Sequence, residues 1–509
     1  MIKLKKIFIY ILLPFITIFT FLLFLNVLFL DWRYSHKSQA TYQDPFDWLT
    51  YKAKFNFLKT INRFSDVLNN SPDIIGLPRE NLLIGINEQS NLLSNVPHST
   101  KVWQEGFYIT DDNDVKQIQV RHRGDNPTNW LFEKKHWRFK TRKEEQFDRY
   151  RYYDYIPFDL EYYFSGIVSN EAEIISPEFN LVELYINQES QGIYIKSERI
   201  NENFLRRNRI MPVNIYKGEQ ILSEAIVGVD NDLFGNSGVW SKVAFFNQTE
   251  PDDYSDLNYF LNTLIKSENK LTSFKSLFEI IDFNQWVKFS AYQIIAQNYH
   301  NDSYHNMRLI IDPWSGKISP IVYDPVLGPS IYSNKILNLE KSSHGLLRLL
   351  NKNSFFINEK YKTIIDLIEK DKVIDNTASL LKDLENKILI SNSRDIHNLS
   401  NTFQDINWKK TIDSKKFVNF DYKNKIQLLI KNINIHKSNI LKLLNSKPVG
   451  SWHDEKDGFS IKVDGYLPIS NIIVNYKENV PKWIYLDINK NNSLDVNEKF
   501  TPDENGNFY

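Results

Sequence analysis

Three clusters of polar residues have the composition and spacing of chemical sites. The densest is HNDSYHNMRLIIDPWSGKISPIVYDPVLG, residues 300–328. Asp302 and Asn306 stand just before one apolar run, MRLIID, and Asp324 closes the next, ISPIVYD. The PWSG between the runs is turn chemistry. If the runs form a hairpin, oxygen ligands before one strand and after the other finish close together. Mg²⁺ held against nucleotide phosphates takes hard oxygen ligands of this kind. The same residue types cap strand ends and turns, and spacing alone leaves both readings open.

The second cluster is VRHRGDNPTNWLFEKKHWRFKTR, residues 120–142. In HWRFKTR, Trp137 and Phe139 share one face of a strand, and His136, Arg138 and Lys140 share the other. If the aromatic face is inward, Lys135 is inward with it, and a buried Lys needs a carboxylate or a phosphate. A basic edge strand, whose Lys residues discourage edge pairing, fits the same letters. The Arg123-Gly124-Asp125 triplet is too short to imply adhesion.

The third cluster is WIYLDINKNNSLDVNEKF near the C-terminus. Asp487, Asn489, Asn491, Ser493, Asp495 and Glu498 fall at positions 1, 3, 5, 7, 9 and 12 of an EF-hand-type rhythm. Asn492 takes the sixth position, where Gly is usual, and Asn tolerates the left-handed conformation. The flanks are strand-like, so the expectation is a calcium loop in a small β-module. An Asp/Asn-rich surface turn is the alternative.

These clusters sit in a chain of 509 residues with 42% hydrophobic, 14% aromatic and 24% charged residues, enough to build sizeable cores. Lys+Arg and Asp+Glu are both 62, and this balance argues against a nucleic-acid partner. The absence of Cys excludes disulfides, thiolate–metal sites and thiol catalysis. Ile7 to Leu30 is an uncharged run long enough to span a bilayer, preceded by Lys3, Lys5 and Lys6. The positive-inside rule puts those lysines in the cytoplasm and the bulk of the chain outside. A cleaved signal peptide is the alternative, but its apolar region is usually only about 7–15 residues and ends at a small-x-small site.

The elements that must position the clusters follow from periodicity. NLLIGIN, VKQIQVRHR and HWRFKTR alternate like half-buried strands, as do LVELYIN and GIYIKSE around a turn of Gln188 to Gln191. A helix after Ser197 carries Ile200, Phe204 and Leu205, and DFNQWVKFSAYQIIAQNY reads as another. Residues 340–445 are helical, Ser446 to Gly450 forms a boundary, and a β pattern returns after it.

Four segments in order resemble the spore coat protein H (CotH) kinase-like family. They are RHRGDNPTNWLFEKKHWRFK, VELYINQESQGIYIKSERI, the 300–328 stretch, and the closing NIHKSNILKLL, and together they cover roughly residues 80–445. The resemblance implies an atypical, reduced protein-kinase fold with ATP and Mg²⁺ or Mn²⁺. It implies that Asp302 orients the acceptor hydroxyl and that Asn306 and Asp324 hold the metal. It further implies that Lys135 binds phosphate, that Glu198 pairs with that Lys, and that Arg123 belongs to the Arg-Gly element. The chain departs from the family pattern where Val326 replaces a second Asp, where Gln188 follows Asn187 in place of Gly, and in the four-residue step from Asp302 to Asn306.

The sequence therefore predicts an α+β protein. Residues 1–31 are a cytoplasmic tip and transmembrane anchor, 32–79 a membrane-proximal segment, 80–446 a kinase-like domain and 450–509 a calcium-binding β-module. The function it predicts is phosphoryl transfer to a hydroxyl of a protein or glycan acceptor outside the cytoplasmic membrane. The rival is a non-catalytic kinase-like binding or structural protein of the cell envelope.

Overall fold

The computed structural model describes residues 17, 21, 76–94, 102–109, 114–124, 129, 134–142, 151–219, 232–246, 250–269, 274–332, 337–395, 421–455, 458–466, 484–485 and 499–500. They mix helices and strands, as the sequence predicts, and divide into two compact units. The first unit takes residues 1–159, 179–199 and 381–427, and the second takes 160–178, 200–380 and 428–509.

The first unit is built on β1 (Arg79–Leu83), β2 (Gln104–Ile109), β3 (Val115–His122), β4 (Trp137–Thr141), β5 (Tyr152–Pro157), β6 (Phe179–Ile186) and β7 (Glu189–Glu198), with helix α1 (Ile86–Ser94) after β1. The strands close into a barrel in the order β1-β2-β3-β4-β5-β7-β6. Only the β1–β6 pair is parallel. Closure removes the exposed edges that would otherwise recruit other strands. Alternation fills the interior: Ile118 and Val120 of β3, Trp137 and Phe139 of β4, and Tyr153 and Tyr155 of β5 belong to one core with Leu82, Leu184 and Tyr194. Within this core the Lys196 ammonium lies 2.7 Å from Glu80, whose second oxygen accepts from the Tyr155 hydroxyl. Burying two such charges costs several kcal/mol, which their pairing and the third hydrogen bond offset.

Two strand expectations are corrected in detail. NLLIGIN stops being a strand at Leu83, because the Gly85 carbonyl accepts from Gln89 and starts α1. The β6–β7 turn is two residues, Asn187 and Gln188, tighter than Gln188 to Gln191. Both have positive φ, +52° and +67°, as a tight hairpin turn matched to strand twist requires.

The second unit takes α2 (Leu160–Glu171), α3 (Glu202–Arg207), β8 (Asn214–Gly218), β9 (Trp240–Ala244), α4 (Ser255–Asn269), α5 (Phe274–Ile280), α6 (Phe283–Ala296), β10 (Met307–Asp312), β11 (Lys317–Pro320), α7 (Gly345–Leu350) and α8 (Ser354–Ile365). Helices α9 (Val373–Ser393) and α10 (Tyr422–Leu444) contribute to both units, and the hairpin β12 (Val449–Glu455) and β13 (Gly458–Asp464) falls in the second. Its antiparallel sheet has the order β11-β10-β8-β9. Phe204, Leu205, Ile215 and Ile310 share the core beneath it. Asn201 caps α3 and Asp282 caps α6, each accepting from backbone N–H groups of the first turn.

Among the described residues no helix is long and apolar enough to cross a membrane. The 7–30 run lies outside them apart from Thr17 and Phe21, as does the whole of 32–75.

The hairpin turn yields one stability prediction. An L-residue in the left-handed region costs roughly 1–2 kcal/mol, and Gly does not. Gln188→Gly is therefore expected to stabilise the fold by about 1 kcal/mol in denaturant unfolding; a neutral or destabilising result would mean that the turn differs in solution.

Candidate functional site

The 300–328 stretch forms one connected structure. Helix α6 ends at Gln297, whose φ of +49° turns the chain sharply away. A loop then leads to β10, a tight turn to β11, and a second loop from Ile321 to Gly328 returns to the end of α6. The Gly328 N–H donates to the Ala296 carbonyl at 3.0 Å. A Cβ on Gly328 would lie 2.1 Å from the Gln297 carbonyl oxygen, so only Gly fits this return. β11 ends at Pro320, which places Asp324 in the return loop and not at the strand end that the sequence suggests.

Asn301 joins the two loops. It is fully buried, and its Nδ2 donates to the Asn306 carbonyl at 3.0 Å and to the Tyr323 carbonyl at 2.6 Å. The residues that the sequence singles out as metal ligands are thereby brought to one place. Asn306 Nδ2 lies 3.3 Å from both ring nitrogens of His300. His300 Nδ1 lies 3.1 Å from Asp324 Oδ2. Asn306 and Asp324 both have positive φ, +59° and +52°. Left-handed backbone at non-Gly residues clusters at functional sites, where surrounding structure holds it in place. Next to Asp324, Tyr323 is fixed by buried Arg308, whose guanidinium lies 4.0 Å from the ring centroid and 3.3 Å from Glu219.

Asp302 does turn work as well. Its Oδ1 accepts from the Tyr304 and His305 N–H groups, both at 2.7 Å, and its own N–H donates to the His305 carbonyl. His305 Nδ1 adds a contact at 3.2 Å to Oδ1. The capping reading is thus satisfied through Oδ1, while Oδ2 lies 3.5 Å from His305 Nδ1.

Asp324, Asn306 and Asp302 Oδ2 are hard oxygen donors of the type Mg²⁺ and Mn²⁺ prefer. Among the described residues no three His, Asp or Glu side chains are grouped to hold a metal by themselves. The carboxylate of Asp324 and the amide of Asn306, both set against His300, would suit a cation that completes its shell with phosphate oxygens and water, as nucleotide-bound Mg²⁺ does. The Oδ1 of Asn301 is buried in the same loop without a hydrogen-bond partner.

The remaining candidates lie in the first unit. Lys135 precedes β4, half-buried, and its carbonyl accepts from the Tyr194 hydroxyl at 3.0 Å. Trp137 and Phe139 do face inward, but the strand begins at Trp137, so the alternation does not extend back to Lys135. The buried lysine there is Lys134, 2.6 Å from Asp395. Arg123 and Arg138 both bind Asp154, with Arg123 Nε at 2.8 Å and Arg138 in a bidentate fork at 2.5 and 2.7 Å. Burial would raise the Asp154 carboxyl, but the two guanidinium groups overcome it and hold the group well below the usual carboxylate range. Glu198 ends β7, buried, opposite Tyr153. The buried Lys–Glu pair inside the barrel is Lys196–Glu80.

The proposed calcium ligands Asp487, Asn489, Asn491, Ser493, Asp495 and Glu498 lie outside the described residues. Ile484–Tyr485 and Lys499–Phe500, which bracket them, pair antiparallel.

Comparison with known proteins bears on the whole arrangement. A family model described as CotH kinase protein matches residues 120–434, more than half of the chain. No curated protein matches. Among solved structures, the chain is similar to one from the Shewanella oneidensis MR-1 toxin–antitoxin complex of HipA, HipB and operator DNA, at 10% identity and a TM-score of 0.23. That alignment spans 61% of each chain, and at this score it carries no argument.

The His300–Asp324 pair gives a pH prediction. The hydrogen bond to Asp324 raises the imidazole above its ordinary value, against the opposing effect of burial. A raised folded value means stabilisation that is complete below about pH 6.5 and is lost as pH rises through the folded value. The His300 ring resonances should therefore titrate by NMR with a midpoint above about 6.5, and Asp324→Asn should lower that midpoint. A midpoint unmoved by the substitution would show that the pair does not form in solution.

Proposed function

The chain belongs to the CotH kinase family, and from that premise we propose that it is a metal-dependent phosphotransferase moving a phosphoryl group from ATP to a hydroxyl. The observation that carries the reading is the Asn301-bridged pair of loops, which sets Asn306 and Asp324 on one histidine in left-handed backbone. Mg²⁺ or Mn²⁺ with the nucleotide would supply charge neutralisation of the phosphates. Asp324 and Asn306 are the side chains proposed to hold it. Asp302 Oδ2 is proposed to orient the acceptor hydroxyl and take its proton, while Oδ1 keeps the loop closed. Phosphoryl transfer asks little covalent chemistry of a protein, so positioning of this kind is the main requirement. Lys135 is proposed for the phosphates on the family resemblance.

A second reading is favoured by Val326, which stands where the family pattern has another Asp. One carboxylate fewer weakens metal affinity, and a kinase-like binding protein of the envelope would need none.

The roles separate by mutation. Asp324→Asn should abolish Mn²⁺-dependent nucleotide binding by the purified chain. Asp302→Asn preserves an oxygen for the turn and should leave nucleotide binding intact while slowing transfer by roughly 100-fold or more, the contribution of a positioned base. Lys135→Ala should weaken nucleotide binding. Wild-type protein that binds no nucleotide with either Mg²⁺ or Mn²⁺ would favour the envelope-binding reading.

Location is part of the same proposal, motivated by the uncharged run from Ile7 to Leu30 behind three lysines. A reporter enzyme active only outside the cytoplasm should work when fused after Tyr509. Activity from a cytoplasmic reporter alone would overturn it.

A further inference from the structure

The two ends of the β10–β11 hairpin meet different surroundings. Met307 begins β10 directly after the 300–306 loop, and Asp312 ends it at the turn. At about 3.4 Å per residue these two residues stand roughly 17 Å apart. Around the turn end lies a cavity of about 440 Å³. Small-molecule sites usually measure about 300–1,000 Å³. None of the residues that line the cavity belongs to the 300–306 or 321–328 loops.

Its walls are largely apolar. Ile175, Ile210, Ile281, Phe283 and Ile310 line it. Ile281 and Ile310 are buried, while Ile175 and Ile210 are only partly covered by the core they pack against. The Phe283 ring stacks at 5.1 Å on Phe355, which is 56% exposed, so apolar surface continues from the cavity outward.

Three charged side chains also line it, and their charges are answered differently. The Lys317 ammonium donates to the Phe278 and Glu279 carbonyls at 3.2 and 2.8 Å, where the negative end of α5 balances it. Asp282 caps α6, accepting from the Gln285 N–H at 3.2 Å and, through its other oxygen, from the Ser319 hydroxyl at 3.3 Å. The positive end of that helix answers its charge. Asp312 has no such balance. Its Oδ1 accepts from the Trp314 N–H at 2.9 Å and its Oδ2 from the Ser315 hydroxyl at 2.6 Å, both neutral donors. Lys317 is its cross-strand neighbour, but that ammonium is turned to the α5 carbonyls instead. The cavity thus combines apolar walls with one half-exposed carboxylate that only neutral groups hold.

We propose that this cavity binds a small organic monocation, a primary ammonium on an apolar body, with the body among the isoleucines and the ammonium on Asp312. The apolar walls decide against a sugar, whose hydroxyls would be buried without enough partners. The carboxylate decides against nucleotides, other phosphates and fatty acids, which would set like charge on Asp312. A bare divalent cation would need oxygens where the isoleucines stand. The proposal does not rest on nucleotide or metal binding at the 300–328 loops and stands or falls separately from it.

The test is saturation-transfer NMR on the full purified chain at pH 7 with three probes of equal length: hexylamine, which is protonated there, hexanol and hexanoate. Hexylammonium is expected to bind about fivefold more tightly than hexanol, the worth of a partly exposed ion pair, and hexanoate more weakly than both. Asp312→Asn keeps an oxygen for the Trp314 N–H and should bring hexylammonium down to the level of hexanol. Hexanol binding should be unchanged in that variant, which separates lost charge from a disturbed fold. Asp312→Glu keeps the charge and should keep the preference. Asp464→Asn, on the exposed β12–β13 hairpin, should change nothing. Equal binding of the three probes, or no saturation transfer to any of them, would overturn the proposal. A preference for hexylammonium that survives Asp312→Asn would do the same. So would displacement of hexylammonium by ATP with Mg²⁺, which would put the amine at the 300–328 loops.

Discussion

One buried amide sets the geometry on which the candidate site depends. Asn301 has no exposed surface, and its nitrogen donates to carbonyls in two loops that the sequence separates by the whole β10–β11 hairpin. A hairpin alone fixes where its strands pair. It does not fix where the chain before the first strand lies relative to the chain after the second. Asn301 supplies that constraint, and Gly328 closes the far end by approaching the Gln297 carbonyl more closely than any Cβ allows. Loss of the amide would leave the buried Asn306 carbonyl without its partner, a cost of about 1–3 kcal/mol, and would release the part-buried Tyr323 carbonyl. The loops would then separate, and His300 would lose its common contact with Asn306 and Asp324.

The first unit solves a different problem, that of charge in a closed barrel. Its interior holds Glu80 and Lys196, and its opposite face holds Asp154 between two arginines. Each carboxylate is multiply bonded, as burial demands. Beside it, Arg121 and Lys140 lie over the Trp103 ring, and Arg151 and Arg199 over the Tyr152 ring. A chain that is neutral in total can therefore gather several cations around one pair of rings. Net charge argues about the average partner, and it is blind to this sorting.

Much of the local structure is legible in the letters. Period-two alternation identifies β3, β4, β6 and β7, and the N-caps Asn201 and Asp282 stand where the apolar periodicity of their helices begins. The hairpin MRLIID–PWSG–ISP is readable because turn residues separate two apolar runs. The limits have physical causes. Alternation predicts the facing of Lys135 only if the strand extends that far, and it starts at Trp137, so Lys134 is the buried lysine. Its partner Asp395 is far along the chain and outside any local pattern. Asn301 and His300 lie within the stretch that spacing singles out, yet a lone amide joining two loops leaves no periodic trace. Closure of the barrel through a parallel β1–β6 pair is likewise a long-range contact with no local signature.

The left-handed residues show how backbone and chemistry restrict the same positions. Gln188, Asn306 and Asp324 all have positive φ. At Gln188 only the turn matters, so Gly would serve better and the side chain is dispensable. At Asn306 and Asp324 the backbone alone would also favour Gly, with Asn and Asp next because their short polar side chains tolerate this region. Gly has no side chain to contact His300. Larger acceptors such as Gln and Glu provide the oxygen but lack the same tolerance of the backbone. The intersection of the two demands is Asn or Asp, which is what the chain has at both positions. Val326 is under neither demand, since its φ is not among the positive values and its side chain is partly exposed.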